Sequence, residues 1–467
     1  MDNTSDSLAS FASQLDYDKI PIIVRERAKV LILDMIGVAL RSRYDAESTS
    51  SLLEAAKHLG YCGGNCSVIG DLDRYTPPGA AFINGTLAHS LDFDDTHAAG
   101  SIHPSAPIVP AVFAAAEMVG ASGRDVIAAI IAGYETQIRL SLALGPAEHY
   151  KRGFHPTATC GIFGAAAAAG RVLKMTSKQI VSAFGIALSQ SAGSMQFLHE
   201  GGWTKRSHVG QASMNGLIAA IMAREGFRGA IDPMEGKAGF LSIYSPNSDL
   251  TKAIKGLGEH WETMSIAIKP YPSCRYSHAP LDGIRKLMID QNISANEVLN
   301  VSIGVSQTAW DIIGGPVEQK QNPRSIVDGQ FSMPFCAAVV IREGNMVWDN
   351  YSSHINDVAT LALCKKIETK IGEKAEAEFP RNMAGSVKMT TARGEFETYV
   401  KVPKGEPENF VTELELRTKF DGLVKPYLGK TPTAMFADSI LMMEQEQSIT
   451  KVLNQSHPSQ PLVMAGE

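Results

Sequence analysis

Cysteine is scarce: six residues (Cys62, Cys66, Cys160, Cys274, Cys336 and Cys364) are scattered over 467 positions. That distribution predicts reduced, unpaired thiols and no disulfide framework. The Cys62-x-x-x-Cys66 spacing has no second Cys or His pair beside it in sequence, so no zinc site is expected there. The phosphate-cradling loops G-x-x-x-x-G-K-S/T and strand-linked G-x-G-x-x-G are missing too. A formal charge of -6 with no Lys/Arg run argues against a nucleic-acid binder or a basic arm. No apolar run is expected to span a membrane, since PIVPAVFAAAEMVG is short and broken by Pro110 and Glu117. The opening MDNTSDSLASFASQL has neither the basic region nor the apolar core of an export signal, which makes cytoplasm the expectation.

A chain of this length exceeds one ordinary core, so two unequal domains are expected. The first 260 or so residues read as helices. Ala28, Leu31, Ile32, Met35 and Ala39 recur at helical spacing, and Ser122 with Asp125 resembles a capping start for 124–141. Thr176 with Gln179 predicts a capping box opening a helix through Ser191. The small-residue stretches 160–170 and 209–225 predict buried, closely approaching helices. Beyond residue 266 the texture changes. Val301, Ile303 and Val305 alternate as a half-buried strand does, as do Phe396, Thr398, Val400 and Val402 after the turn-like 392–395. An α+β domain with antiparallel strands is expected, ending near Lys404-Gly405-Glu406-Pro407, with 410–422 and 433–453 helical again.

The window 89–104, HSLDFDDTHAAGSIHP, places Asp92, Asp94, Asp95, His89, His97 and His103 in an otherwise apolar, Ala-rich region. Burying such groups costs several kcal/mol unless they are paired or used, roughly 2–7 for a polar group and more for a charge. The density therefore predicts chemistry, with a helix cap or ion-pair network as the bland alternative. Further segments add cations beside Gly or Pro: Lys151–Pro156, Trp203–His208, Lys269–Arg275 and Ser277-His278. In an acidic chain these predict recognition of an anion, best a small molecule with several carboxylates. Carboxylates and imidazoles are general acids and bases, and cations beside them stabilise enolate-like charge. The combination suits proton removal alpha to a carboxylate, followed by loss of water, loss of CO2 or reprotonation. Two other classes offer alternatives. Asp92-x-x-Asp95 in a helical context resembles the magnesium-binding carboxylates of terpenoid synthases, but aromatics are only 7% and no second carboxylate cluster matches. The other is a non-catalytic scaffold on an enzyme-like bundle.

Five ordered motifs give the chain a resemblance to the MmgE/PrpD family: Asp92-Phe93-Asp94-Asp95-Thr96 with His103-Pro104-Ser105; Gly153-Phe154-His155-Pro156; Trp203-Thr204-Lys205-Arg206 with His208; Tyr271-Pro272-Ser273-Cys274-Arg275; and Gln330-Phe331-Ser332-Met333-Pro334-Phe335. The resemblance implies a mainly α fold: a large all-helical domain from 1–265 and 408–467, with a smaller α+β lid domain, 266–407, inserted. It also implies a homodimer, a small polycarboxylate substrate, and no metal or organic cofactor. In the decarboxylase members the active site lies between the domains. By motif, Asp92, His103 and His155 are the catalytic candidates, with His103 the principal acid/base and Asp92 orienting a histidine or sharing in proton transfer. Thr96, Lys205, Arg206 and Lys269 are the substrate-binding candidates, joined by Arg275 and His278. Family activities include cis-aconitate decarboxylase, iminodisuccinate epimerase and 2-methylcitrate dehydratase. Asp94 and His97 depart from the D-F-N-D-T-W of bacterial methylcitrate dehydratases, while Thr96 and His103 match the decarboxylase-like pattern. Animal decarboxylases carry His and Tyr where this chain has Cys274 and Met333. An aconitate decarboxylase-type lyase is therefore the leading expectation, ahead of an epimerase or cis/trans isomerase and then a dehydratase.

Overall fold

The structure, a computed structural model, describes residues 3–458. The chain forms two compact units, one of residues 1–267 with 416–467 and the other Ile268–Glu415.

Helices build the first unit, and close approach between them sets its geometry. In Pro156–Val172, Pro at the first position starts the helix and every residue but Arg171 is buried. Helix Thr204–Arg224 packs against it through Gly216, where an added Cβ would lie 2.5 Å from Ala165 Cβ and 2.7 Å from the Ile162 carbonyl oxygen. Further along the same helix, Gly210 meets helix Pro77–Ala88, its missing Cβ 2.4 Å from the Phe82 carbonyl oxygen. These contacts admit only glycine, and they bring the start of Thr204–Arg224 against the end of Pro77–Ala88. Ser122 caps Gly123–Leu144 through the Asp125 amide, and the Thr176–Gln179 capping box opens Ser177–Leu188, which stops short of Ser191. Helices Glu413–Leu428 and Lys430–Leu441 form, but the expected run to 453 breaks at Met442. Tertiary hydrogen bonds outcompete it there: Gly123 N donates to the Glu446 carbonyl (2.9 Å) and Ile449 N to that of Ala121 (3.1 Å).

Two expectations need correction in this unit. It is not wholly helical, because Cys62–Ser67 pairs antiparallel with Arg74–Tyr75, and Thr96–His97 with Ile266–Ala267. Nor is every apolar run too short for a membrane: Gly123–Leu144 is long and apolar enough by length and composition. Glu135 and Arg139 interrupt the run, yet the two are ion-paired 3.1 Å apart, and 94% of its apolar 18-residue window is buried inside the protein. It is a core helix. All six cysteines are unpaired, and only Cys62 is exposed.

The second unit carries a four-stranded sheet in the order Ile367–Ile371, Val298–Val305, Gly385–Thr391, Gly394–Val400. Val301, Ile303 and Val305 are buried, as their alternation predicts. Contrary to an all-antiparallel sheet, Val298–Val305 runs parallel to Ile367–Ile371, the long helical connection between them supplying the crossover that parallel pairing requires.

Candidate active site

Three long helices begin at the Asp/His window. Ser105–Val119 follows directly on His103-Pro104, His155 is the N-cap of Pro156–Val172, and Lys205 lies in the first turn of Thr204–Arg224. The His103 amide donates to Thr157 Oγ1 (3.2 Å), tying the first two starts together. Helix N-termini carry partial positive charge and unsatisfied N–H groups, so this convergence favours an anion before any side chain is counted. A fourth helix, Pro77–Ala88, ends there on His89.

Within this frame the side chains sort into pairs. Lys205 Nζ donates to Asp92 Oδ1 at 2.6 Å, and Asp92 has a left-handed backbone (φ 51°), a conformation that Asp tolerates better than most residues. Buried Asp94 meets two imidazoles with one oxygen: His89 Nδ1 lies 2.8 Å from Oδ2, and His103 Nδ1 3.2 Å from it. The carboxylate on the imidazoles is thus Asp94, while Asp92 meets the lysine. His89 also stacks on His155, ring centres 5.9 Å apart, and His208 lies 5.8 Å beyond His155. Neither ring nitrogen of buried His155 has a hydrogen-bond partner among the described residues. A buried polar group left so is costly, which makes His155 a natural contact for a bound polar molecule.

Charge in this cluster is set by burial and proximity. Burial pulls His89 down to about 4, with Lys205 and His103 acting in the same direction and Asp94 opposing. His155 is driven well below the ordinary imidazole range by burial, then by His89 and Lys205. Burial also works against ionised Asp94, but His103 and His89 outweigh it and hold the carboxyl well below its usual value. At neutral pH the centre therefore holds an anionic Asp94 beside neutral His89 and His155.

A supporting layer lies beneath. Burial pushes the neighbouring Asp95 up to about 8, although Ser105 donates to it from both its amide and its hydroxyl. Ser105 Oγ also contacts Tyr134 Oη at 2.5 Å. From the C-terminal segment, Lys419 pairs with buried Asp34 (2.6 Å) and donates to the Phe93 carbonyl (3.0 Å), bracing the window from behind.

The other candidates are placed as follows. Thr96 is buried in the short ladder with Ala267. Arg206 donates to Ser48 Oγ (2.9 Å) and lies over the Trp203 ring. Lys269, Arg275 and His278 belong to the second unit, where all three are buried. Arg275 is ion-paired with Glu406, and His278 Nε2 lies 3.2 Å from the Ser273 carbonyl with its ring against Tyr271. Sequence reasoning placed His89, Asp94 and His208 in suggestive motifs without assigning them to the site. Their signal was spacing across a helix end, His89 to Asp94, which becomes contact only once the loop turns back.

Among the described residues, His89, Asp94 and His103 are the group whose donor atoms, within 4.8 Å of one another, are spaced for a metal ion. Of the three, His89 Nδ1 is already hydrogen-bonded to Asp94 Oδ2 at 2.8 Å, while His103 Nδ1 stands 3.2 Å from the same oxygen without a hydrogen bond among the described residues.

Comparison with known proteins agrees with the motifs. The chain is 28% identical to a cis-aconitate decarboxylase-like protein of Aspergillus oryzae over 97% of its own length and 96% of that protein's. With the cis-aconitate decarboxylase of Aspergillus terreus it shares 27% identity over 96% of its length and 94% of the relative's. The human cis-aconitate decarboxylase is 28% identical over 74% of this chain and 72% of the human protein. Residues 6–253 match the MmgE/PrpD N-terminal domain and 271–445 the MmgE/PrpD C-terminal domain, and the chain belongs to the MmgE/PrpD family.

Proposed function

We propose that this protein is a cofactor-independent lyase that decarboxylates cis-aconitate or a closely related polycarboxylate. The observation that carries the reading is the meeting of Lys205, paired with Asp92, and the His89–Asp94–His103–His155 cluster at three helix N-termini. The full-length likeness to proteins named for that activity supports it.

In this reading Lys205 and the helix N-termini hold substrate carboxylates, with Thr96 and Arg206 beside them; Lys269, Arg275 and His278 are further carboxylate-binding candidates. The carbon–carbon bond to one carboxylate breaks and CO2 leaves. The electron pair it leaves behind spreads over the adjoining alkene and carboxylate, where fixed positive charge stabilises it. A proton delivered to carbon by the imidazole of His103 completes the reaction, so that one proton is consumed for each CO2 released. His155 contacts a carboxylate or serves as a second acid/base. The protein works as a homodimer in the cytoplasm.

The test incubates purified protein in D2O with cis-aconitate, trans-aconitate, 2-methylcitrate and iminodisuccinate, followed by NMR. Loss of CO2 from cis-aconitate with one deuterium placed on carbon is the expected result. Deuterium exchange without CO2 loss would replace the reading by an isomerase or epimerase, and alkene formation from 2-methylcitrate would replace it by a dehydratase.

A further inference from the structure

The contacts around Asp94 go beyond that assignment. Asp94 is wholly buried, and its Oδ2 faces two imidazoles of the cluster. Its Oδ2 is hydrogen-bonded to His89 Nδ1 (2.8 Å) and lies 3.2 Å from His103 Nδ1, a buried nitrogen with no other hydrogen-bond partner among the described residues, and the two rings meet edge to face with centres 4.6 Å apart. Of the two imidazoles only His103 reaches the surface, its side chain 13% exposed, while the His89 side chain is fully enclosed. The pair is therefore asymmetric: one imidazole faces the site, and the other lies behind it.

We propose that Asp94, anchored by His89, is the positioning residue of the site, accepting the Nδ1 proton of His103 so that Nε2 is the nitrogen that gives and takes protons. An ionised carboxylate has acceptors only, so any neutral imidazole turned onto it by Nδ1 must carry its proton there. Nε2 then takes up a proton from solvent and delivers it to carbon, the one proton consumed for each CO2 released. His89 uses its own Nδ1–H in the same way and fixes the carboxylate from the far side, much as an outer hydrogen bond orients a working histidine. The groups facing Asp94 are His89, at the end of Pro77–Ala88, and His103, before Ser105–Val119. Lys205, from the start of Thr204–Arg224, acts on both His89 and His155 through its charge. The inference rests on the reading of His103 as the proton-transferring imidazole.

Asp94→Asn keeps size and shape but presents an amide N–H, which favours the opposite tautomer. With histidine ring nitrogens labelled with 15N, and the His103 signals assigned by their loss in His103→Gln, neutral His103 is expected to carry its proton on Nδ1 in the parent and on Nε2 in Asp94→Asn. In the same variant kcat is expected to fall about 10²–10⁴-fold while KM changes little. Asp94→Glu, which restores the charge, is expected to keep the parent tautomer and recover part of the rate. A parent His103 protonated on Nε2, or a folded Asp94→Asn with parental kcat, overturns the proposal. If Asp94→Asn does not fold, His89→Gln decides: a smaller fall in kcat with unchanged tautomer supports the anchor, and an unchanged kcat overturns it. Should the parent not turn over cis-aconitate, the proposed function fails while the tautomer measurement still decides the role of Asp94.

Discussion

Lys205 Nζ stands 2.6 Å from Asp92 Oδ1, joining the first turn of one helix to a loop more than a hundred residues earlier in the chain. The pair holds a cation where three helix N-termini already favour negative charge. Replacing Lys205 by Ala removes a charge-assisted hydrogen bond of about 1.5–3 kcal/mol, so kcat/KM for cis-aconitate is expected to fall roughly ten- to a hundredfold. Lys205→Arg is not expected to restore it, since the planar guanidinium cannot occupy the ammonium's place. Steady-state kinetics on the two variants checks both statements.

Much of this was legible in the sequence. Capping residues located the starts of Gly123–Leu144 and Ser177–Leu188 because a cap is a local interaction between neighbours. The two His-Pro pairs, 103-104 and 155-156, stand at helix starts for a related reason: proline fits a first turn and little beyond it. The division of labour between Asp92 and Asp94 was not legible. Two residues apart in one loop, they diverge because Asp92 adopts φ 51°, while Asp94 is enclosed between His89 and His103. The parallel strand pair escaped prediction as well, since burial on the sheet depends on alternation and not on strand direction.

Asp95 gives a pH dependence with a definite sign. Its carboxyl titrates near 8 in the folded protein against an ordinary value of 3.8, chiefly through burial. Folded protein therefore keeps a proton that the unfolded chain releases, and the stabilisation is lost as pH rises through about 8. Asp95→Asn, which mimics the neutral carboxyl, should flatten this dependence. Thermal melts from pH 4 to 9 check it: a variant whose Tm tracks the parent's would contradict the assignment.

Gly216 is expected to tolerate no side chain. Its helix would gain from alanine by propensity alone, but the new Cβ would sit 2.5 Å from Ala165 Cβ and 2.7 Å from the Ile162 carbonyl oxygen. Gly216→Ala should destabilise the protein by about 1–3 kcal/mol, the usual cost of overpacking, as read by urea unfolding.

Chelation is expected to leave turnover unchanged. The spacing of His89, Asp94 and His103 would admit an ion, but His89 Nδ1 is already hydrogen-bonded to Asp94 Oδ2, and His103 Nδ1 stands 3.2 Å from the same oxygen. Activity lost after dialysis against EDTA and restored by a divalent cation would contradict the hydrogen-bonded arrangement.

The most direct measurement is kcat of His103→Ala on cis-aconitate, with folding verified by circular dichroism. Loss of the proton-transferring imidazole is expected to lower kcat about 10²–10⁴-fold. A folded His103→Ala that releases CO2 at the parental rate would contradict the account.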